Sequence, residues 1–172
     1  MTYSDSYYWA GGRRVKLRPS SDVVVDLTLA AQFGLKRSDV ARIRDLGRKL
    51  TASTVILPEQ DLPEAFKADA SSARAILPVF LADDGTLIAV MPEVRVEAAE
   101  PNKLADLKRR IVQGKTSAII KEQRPGRLVL EPASGRGEDA LSLANVVFEE
   151  YHPDLAQARF RRVIAHPDRQ SK

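Results

Sequence analysis

The order of secondary structure is clearest in residues 87–131, which read LIAVMPEVRVEAAEPNKLADLKRRIVQGKTSAIIKEQRPGRLVLE. An apolar strand at residues 88–96 is followed by a helical pattern at residues 103–112, where leucine and isoleucine recur at helical spacing. Two more strands, residues 117–121 and 127–130, flank a turn that contains proline and glycine. This stretch predicts the order β-α-β-β.

The C-terminal part of the sequence extends this order by one helix and one strand. Apolar residues spaced three and four apart predict a helix over residues 139–151, and residues 159–165 predict a final strand. Asn102 is the expected N-cap of the earlier helix, and Gly114 stands where a glycine commonly ends one. The complete order is β-α-β-β-α-β, which is that of the ferredoxin-like unit.

The N-terminal half follows the same order in a weaker form. We expect a strand at residues 23–27, a helix at residues 40–50 with Ser38 or Asp39 as its cap, and a strand at residues 51–57. A weaker helical stretch at residues 61–74 and a strand at residues 76–81 complete the half. We therefore interpret it as a degraded copy of the second half.

An N-terminal hairpin precedes both halves. Aromatic residues suit its first strand, and Gly11 and Gly12 supply the positive φ of a tight turn. We expect Arg18-Pro19-Ser20-Ser21 to end the return strand before the buried strand that follows. The predicted fold class is α+β, with two tandem ferredoxin-like units of which the first is degenerate. The predicted division is a hairpin at residues 1–20, a degenerate unit at 21–84, a complete unit at 85–168 and a tail at 169–172.

The composition of the chain indicates a globular protein and excludes several classes of site. The 27 lysines and arginines exceed the 23 acidic residues by four, but acidic residues interrupt the basic stretches, which favours ordinary solvated surfaces over a nucleic-acid partner. The absence of cysteine excludes disulfides and thiolate chemistry. No signal peptide or membrane-spanning run is present, so we expect a cytoplasmic protein without a membrane partner.

The sequence contains no recognisable catalytic, cofactor or metal motif. The only histidines, His152 and His166, lie near the C-terminus, and no Gly-x-Ser-x-Gly elbow accompanies them. Glu149 and Glu150 are adjacent on a predicted helix, so they do not converge on one substrate, and we expect both to face solvent. We predict a protein that is not an enzyme and that has no cofactor, metal or small-molecule substrate.

Aromatic residues cluster at the N-terminus, at Tyr3, Tyr7, Tyr8 and Trp9. Such a cluster can stack on nucleic-acid bases. Neither half carries the signature of an RNA-recognition sheet, and we therefore favour packing of the N-terminal strand over base stacking.

Several short motifs together resemble the fervidolysin-type prodomains of subtilisin-like serine proteases. The opening YWAGGRRVKL at residues 8–17 is similar to the tyrosines, Gly-Gly turn and basic-apolar strand with which these prodomains often begin. DALSLAN at residues 139–145, followed by AHPD at residues 165–168, is similar to their end, and LPVF at residues 77–80 to the end of the first unit. His166 departs from the family, which usually has glutamate at this position.

The resemblance implies a protein that binds a subtilisin-like protease. In this family the sheet lies on the protease, and the C-terminal tail runs through the substrate cleft as an added strand. The acidic residue that caps helices on the protease surface would here be Asp168 rather than His166. The expected protease-contacting residues are His166, Pro167, Asp168, Arg169, Gln170, Ser171 and Lys172.

The resemblance leaves several functions open. The first is a free-standing prodomain-like protein that acts in trans on a subtilisin-like protease, which we expect to be encoded nearby, as inhibitor, folding chaperone or both. The second is a structural or regulatory subunit of a larger assembly with the same fold. The third is a basic nucleic-acid-binding protein, whose affinity would depend strongly on salt.

Overall fold

The computed structural model describes residues 6–68 and 70–164. These residues form a mixed α+β structure around one sheet, in which all the described strand pairs are antiparallel. The strands are β1 (Ser6–Ala10), β2 (Arg13–Asp26), β3 (Arg48–Lys49), β4 (Thr54–Pro58), β5 (Ile76–Ala82), β6 (Leu87–Glu97), β7 (Ala118–Arg124), β8 (Arg127–Pro132) and β9 (Leu155–Arg162). The α-helices are α1 (Leu27–Gln32), α2 (Arg37–Leu46), α3 (Glu64–Ala68), α4 (Pro101–Val112) and α5 (Gly137–Tyr151). None of the helices in the described part of the chain is long and apolar enough to cross a membrane.

The strands of each half are adjacent in the sheet. The first half has the spatial order β3-β4-β2-β5, and the second half has the order β7-β8-β6-β9. Antiparallel pairing of β5 with the start of β6 joins the halves, with Phe80 opposite Ile88. The two halves therefore share a continuous backbone hydrogen-bond network.

The helices of both halves lie on the same side of the sheet. Val23 of β2 packs in the core beneath α1–α3 and is paired with Pro78 of β5, so both point to the same face. Phe80 is two residues further along β5 and therefore also points to that face, where it packs in the same core cluster as α4 and α5. The pleat thus places the pairs Val23–Pro78 and Phe80–Ile88 on the same face of the sheet, beneath the helices.

The N-terminal hairpin is present as predicted. β1 and the start of β2 pair from Ala10 opposite Arg13 to Ser6 opposite Leu17, and Gly11 and Gly12 have φ of +55° and +76°. Positive φ at both turn residues is the requirement of a type I′ hairpin turn.

The expected interruption at residues 18–21 is wrong. β2 continues to Asp26, and its pairing with β5 shifts register between Pro19 and Val23. The proline lacks a donor N–H, and the strand accommodates it at this irregularity instead of ending. The division between residues 1–20 and 21–84 consequently falls within one strand.

The second half agrees closely with the sequence-based elements. β6, α4, β7, β8 and α5 occur in the predicted order and near the predicted positions, and Gly114 after α4 has φ of +69°. Pro101 occupies the first turn of α4 and Glu100 precedes it as the cap, so the assignment of Asn102 as cap is wrong. β9 begins at Leu155, four residues before the predicted strand.

The first half departs from the prediction at its short elements. The expected strand at residues 23–27 ends at Asp26, whose Oδ1 accepts hydrogen bonds from the backbone N–H groups of Thr28 and Leu29 at 3.0 and 3.1 Å. Asp26 is therefore an N-cap, and α1 follows it. The helical stretch predicted over residues 61–74 is divided into α3 and two 3-10 turns, Glu59–Asp61 and Ala70–Ala75.

The helix predicted at residues 40–50 is displaced toward the N-terminus. α2 is preceded by Lys36, which makes no side-chain capping bond, so neither Ser38 nor Asp39 is the cap. The chain becomes extended at Gly47, where a Cβ atom would lie 2.8 Å from Val55 Cβ. Only glycine fits against β4 at this point, and the two-residue strand β3 begins directly after it.

Candidate protein-interaction surface

The last described strand leads to the segment that the sequence assigns to protease contact. β9 pairs with β6 from Leu155 opposite Glu97 to Arg162 opposite Ile88, and Val163 N–H donates to Leu87 O at 2.9 Å. The sheet therefore holds the chain as far as residue 163. The expected contact residues, His166, Pro167, Asp168, Arg169, Gln170, Ser171 and Lys172, lie outside the described residues, and their role stays a prediction.

The second half leaves one face of its sheet without helices. Val94 and Val96 of β6 pack in the core with α4 and α5, so the intervening Arg95 points to the opposite side. Arg95 is paired with Val129 of β8 and Gln157 of β9, which face the same way. We call this side the outer face; its members are Arg95, Glu97, Ile119, Glu122, Arg124, Arg127, Val129, Glu131, Leu155, Gln157, Arg159 and Arg161.

The outer face carries charges of both signs. Arg95 contacts Glu97 at 2.5 Å and Arg124 contacts Glu122 at 2.5 Å, on neighbouring positions of the same strand in each case. Exposed pairs of this kind contribute roughly 0.2–1 kcal/mol each, so a binding partner can displace them at low cost. Ile119 adds an apolar side chain that is 45% exposed. The face therefore combines exposed ion pairs with one large exposed apolar side chain, Ile119.

One ion pair, between Arg74 and Glu131, connects the first half of the chain to the second. Glu131 of β8 is 7% exposed, and its carboxylate bonds to the guanidinium of Arg74, which belongs to the first half. Lys121 Nζ lies 3.4 Å from the other oxygen, Glu131 Oε2. The buried carboxylate is therefore compensated partly by a residue that is distant in sequence. Sequence reasoning did not identify this pair, because nothing local distinguishes Glu131 from its neighbours.

The aromatic residues of the hairpin pack against α5 and β9. The Trp9 ring stacks on Phe148 with a centroid separation of 4.9 Å, and Tyr8 meets Phe160 edge-on at 4.8 Å. The predicted packing of the N-terminal strand is confirmed for Tyr7, Tyr8 and Trp9, while Tyr3 lies outside the described residues.

Glu149 is exposed, as expected, and it also links the hairpin to α5. Tyr7 OH donates to Glu149 Oε1 at 2.6 Å, Trp9 Nε1 donates to the same oxygen at 3.2 Å, and Arg14 lies 3.6 Å away. The tyrosine hydrogen bond is the main cause that lowers the pKa of Glu149 and raises the pKa of Tyr7. Glu150 is exposed and contacts Arg110 at 3.3 Å.

The structure places one of the two histidines at a helix end. His152 follows α5 with a φ of +47°, and its carbonyl oxygen accepts a hydrogen bond from Lys103 Nζ at 2.8 Å. His166 is outside the described residues. Within residues 6–68 and 70–164, no group of three histidine or acidic side chains is arranged to hold a metal ion.

Comparisons with known proteins give no relative for this chain. No protein-family model matches it, and no curated protein and no solved structure is significantly similar to it.

Proposed function

We propose that this chain is a non-catalytic, prodomain-like protein that binds a subtilisin-like serine protease in trans, as inhibitor, folding chaperone or both. The observation that carries the proposal is the arrangement of the second half. Its helices α4 and α5 lie on one side of the sheet, its outer face carries neither of them, and β9 leads directly into the C-terminal residues. This arrangement can place the face and the tail on one partner.

We further propose that the two halves are tandem ferredoxin-like units. In the second half, the last strand β9 lies beside the first strand β6, followed by the third and the second. The first half has the same relation, with β5 beside β2, then β4 and β3. Equal strand order in both halves supports a repeat. β3 has two residues and α3 has five, which supports the degenerate character of the first unit.

The proposed binding mode uses the outer face for docking and the tail for inhibition. An extended tail can add a strand to the substrate cleft through main-chain hydrogen bonds, with side-chain pockets providing selectivity. The bonds that hold β9 and Val163 to β6 anchor the chain to the sheet as far as residue 163. A fixed starting point reduces the ordering cost of binding to the few residues that follow.

The test measures docking and inhibition separately. The full chain is mixed with purified subtilisin-like proteases, and complex formation is measured by calorimetry on a protease whose catalytic serine is replaced, while inhibition is measured by peptide hydrolysis. Deletion of residues 169–172 is expected to weaken inhibition more than docking. Arg95→Glu on the outer face is expected to weaken both, whereas Lys108→Glu on α4 serves as the control.

Two outcomes would reject the proposal. The first is the absence of both a complex and a change in hydrolysis across the protease panel. The second, which concerns the binding mode, is an equal effect of the tail deletion on docking and inhibition, or no effect on either. A stable complex recovered with a partner that is not a protease would instead favour a structural or regulatory subunit.

A further inference from the structure

A cavity of about 480 Å³ lies between α5, the N-terminal hairpin and the first half of the sheet. Its apolar walls include Pro78 and Phe80 from β5 and Leu141 and Val146 from α5. The volume is within the range of small-molecule sites, which are largely apolar with a few placed polar groups. The cavity is on the helical side of the sheet and is therefore distinct from the outer face.

The charged side chains along this cavity are all acidic. Asp22, Glu59, Glu138 and Glu149 line it, and no lysine, arginine or histidine is among the described residues that do so. The chain as a whole has a net charge of +4. The local field is thus opposite in sign to that of the molecule, and a cavity with low-dielectric walls concentrates such a field.

Two of these four carboxylates are not neutralised by the described part of the protein. Asp22 and Glu59 have no ion-pair partner among the described residues, and Glu138 has only a distant contact of 3.9 Å with the exposed Arg136. Glu149 has internal partners, and the Tyr7 hydrogen bond that lowers its pKa favours its ionised form at neutral pH. The cavity therefore holds unpaired negative charge.

Asn145 provides a second and independent indication of a ligand. Its side chain is 9% exposed and lines the cavity, and its Nδ2 donates to Tyr7 O at 2.8 Å, which fixes the orientation of the amide. Its Oδ1 is buried and has no hydrogen-bond partner. A buried acceptor without a donor is costly, so an N–H or O–H group that reached this oxygen would be stabilised there.

We propose that this cavity binds a small organic cation, with ammonium groups on an aliphatic body. An ammonium has three N–H donors and no acceptor, which matches a wall of carboxylates and an unpaired amide oxygen. The aliphatic body matches the apolar walls formed by Pro78, Phe80, Leu141 and Val146. A small molecule fits better than a protein segment because the cavity volume is that of a small-ligand site. The site is separate from the proposed protease contact and does not depend on it.

Three ligands of the same carbon-chain length test the required charge. Octamethylenediamine is a dication, octane-α,ω-diol is neutral and suberate is a dianion. Each is titrated into the full chain, labelled with ¹⁵N, at neutral pH and low salt, and the dissociation constant is measured from amide shifts. We expect the diamine to bind and to shift the Asn145 side-chain amide, and the other two ligands not to bind.

Matched variants test the location. Glu59→Gln combined with Glu138→Gln removes two cavity charges, whereas Asp106→Asn combined with Glu122→Gln removes two exposed charges elsewhere. The first pair is expected to weaken diamine binding by about tenfold and the second by less than about twofold. A melting curve for each variant verifies that it is folded.

Three results would overturn the inference. The diamine does not bind to the wild-type chain, the diol binds equally well, or both variant pairs weaken binding equally, which would indicate non-specific charge attraction. Loss of binding only in the first variant pair would support it.

Discussion

The ion pair between Arg74 and Glu131 provides the sharpest test of how the two halves are held together. Glu131 is 7% exposed and Arg74 contacts its carboxylate from the first half, while Lys121 remains as a second partner at 3.4 Å. We predict that Arg74→Met, which keeps a long apolar side chain but removes the charge, lowers the free energy of unfolding by about 2 kcal/mol.

The expected loss of about 2 kcal/mol for Arg74→Met follows from the unequal exposure of Arg74 and Glu131. Removing one partner of a fully buried pair costs about 3–5 kcal/mol, and an exposed pair contributes about 0.2–1 kcal/mol. The Arg74 side chain is 36% exposed, and Lys121 still compensates part of the Glu131 charge, so the expected cost lies between these limits. Glu131→Gln should cost less, about 1 kcal/mol, because the released guanidinium can be hydrated whereas the released carboxylate cannot.

A double-mutant cycle with urea denaturation measures this coupling. We expect a coupling energy of about 1–2 kcal/mol between Arg74→Met and Glu131→Gln. The exposed pair of Arg124 and Glu122, treated in the same way, should give less than about 1 kcal/mol. For a chain of this length the loss in Arg74→Met corresponds to a decrease in Tm of about 4–8 °C.

The reasoning is refuted if the two substitutions at positions 74 and 131 are simply additive. It is also refuted if Glu131→Gln destabilises the protein more than Arg74→Met, since that order contradicts the difference in exposure. A coupling energy equal to that of the exposed pair would show that the contact between Arg74 and Glu131 stabilises the protein no more than an ordinary surface ion pair does.

The remaining predictions concern α5 and its contacts. Trp9→Ala removes the stack on Phe148 and should lower the free energy of unfolding by about 2 kcal/mol in urea melts, whereas Trp9→Phe should retain most of it; equal losses would contradict this. Because the folded-state pKa of Glu149 is lowered, its stabilising contribution is present at pH above the ordinary glutamate pKa and is lost as pH falls through the folded-state value. The fluorescence of Trp9, the only tryptophan, should report this acid transition in the wild type, and Glu149→Gln should lack it. Gly137→Ala should destabilise the fold by about 3 kcal/mol, because its Cβ would lie 2.2 Å from Val90 O; an unchanged Tm would refute the close approach.

The accuracy of the sequence-based prediction differed between the two halves for a physical reason. In the second half, elements are long and carry their own local signals, such as Gly114 after α4 and the Pro125-Gly126 turn, where Gly126 has φ of +72°. In the first half, α1, β3 and α3 have two to six residues, which is too short for a hydrophobic period to be recognised. Gly47, which follows α2, lies so close to Val55 that a side chain would clash there, and no local pattern indicates this contact.

The candidate sites were predicted less well than the fold. The role of Glu149 was missed because its partners Tyr7 and Trp9 precede it by 142 and 140 residues. A possible signal was the spacing of Asn145 and Glu149, which are four residues apart and therefore share a side of α5. That spacing does not indicate which element covers this side of α5. It therefore does not show whether Asn145 and Glu149 face solvent or contact the hairpin.

The sequence by itself determined the features that depend on neighbouring residues. These are the tight turn at Gly11 and Gly12, the β-α-β-β-α-β order after residue 87, and the alternation of apolar and polar residues along a strand. This alternation distinguishes the core-facing side of a strand from its solvent-facing side. Each follows from backbone sterics or from hydrophobic periodicity within a few residues. They define an α+β protein.

Only the tertiary structure decided which surfaces meet. The pairing of β5 with β6, the burial of Glu131 beside Arg74 and the acidic cavity beside Asn145 bring together residues that are far apart in the chain. Such contacts depend on which side of the sheet each helix covers and on where the register shifts in β2 and β6. Because a shift of one residue reverses the face of every later side chain in a strand, local sequence patterns do not determine these arrangements.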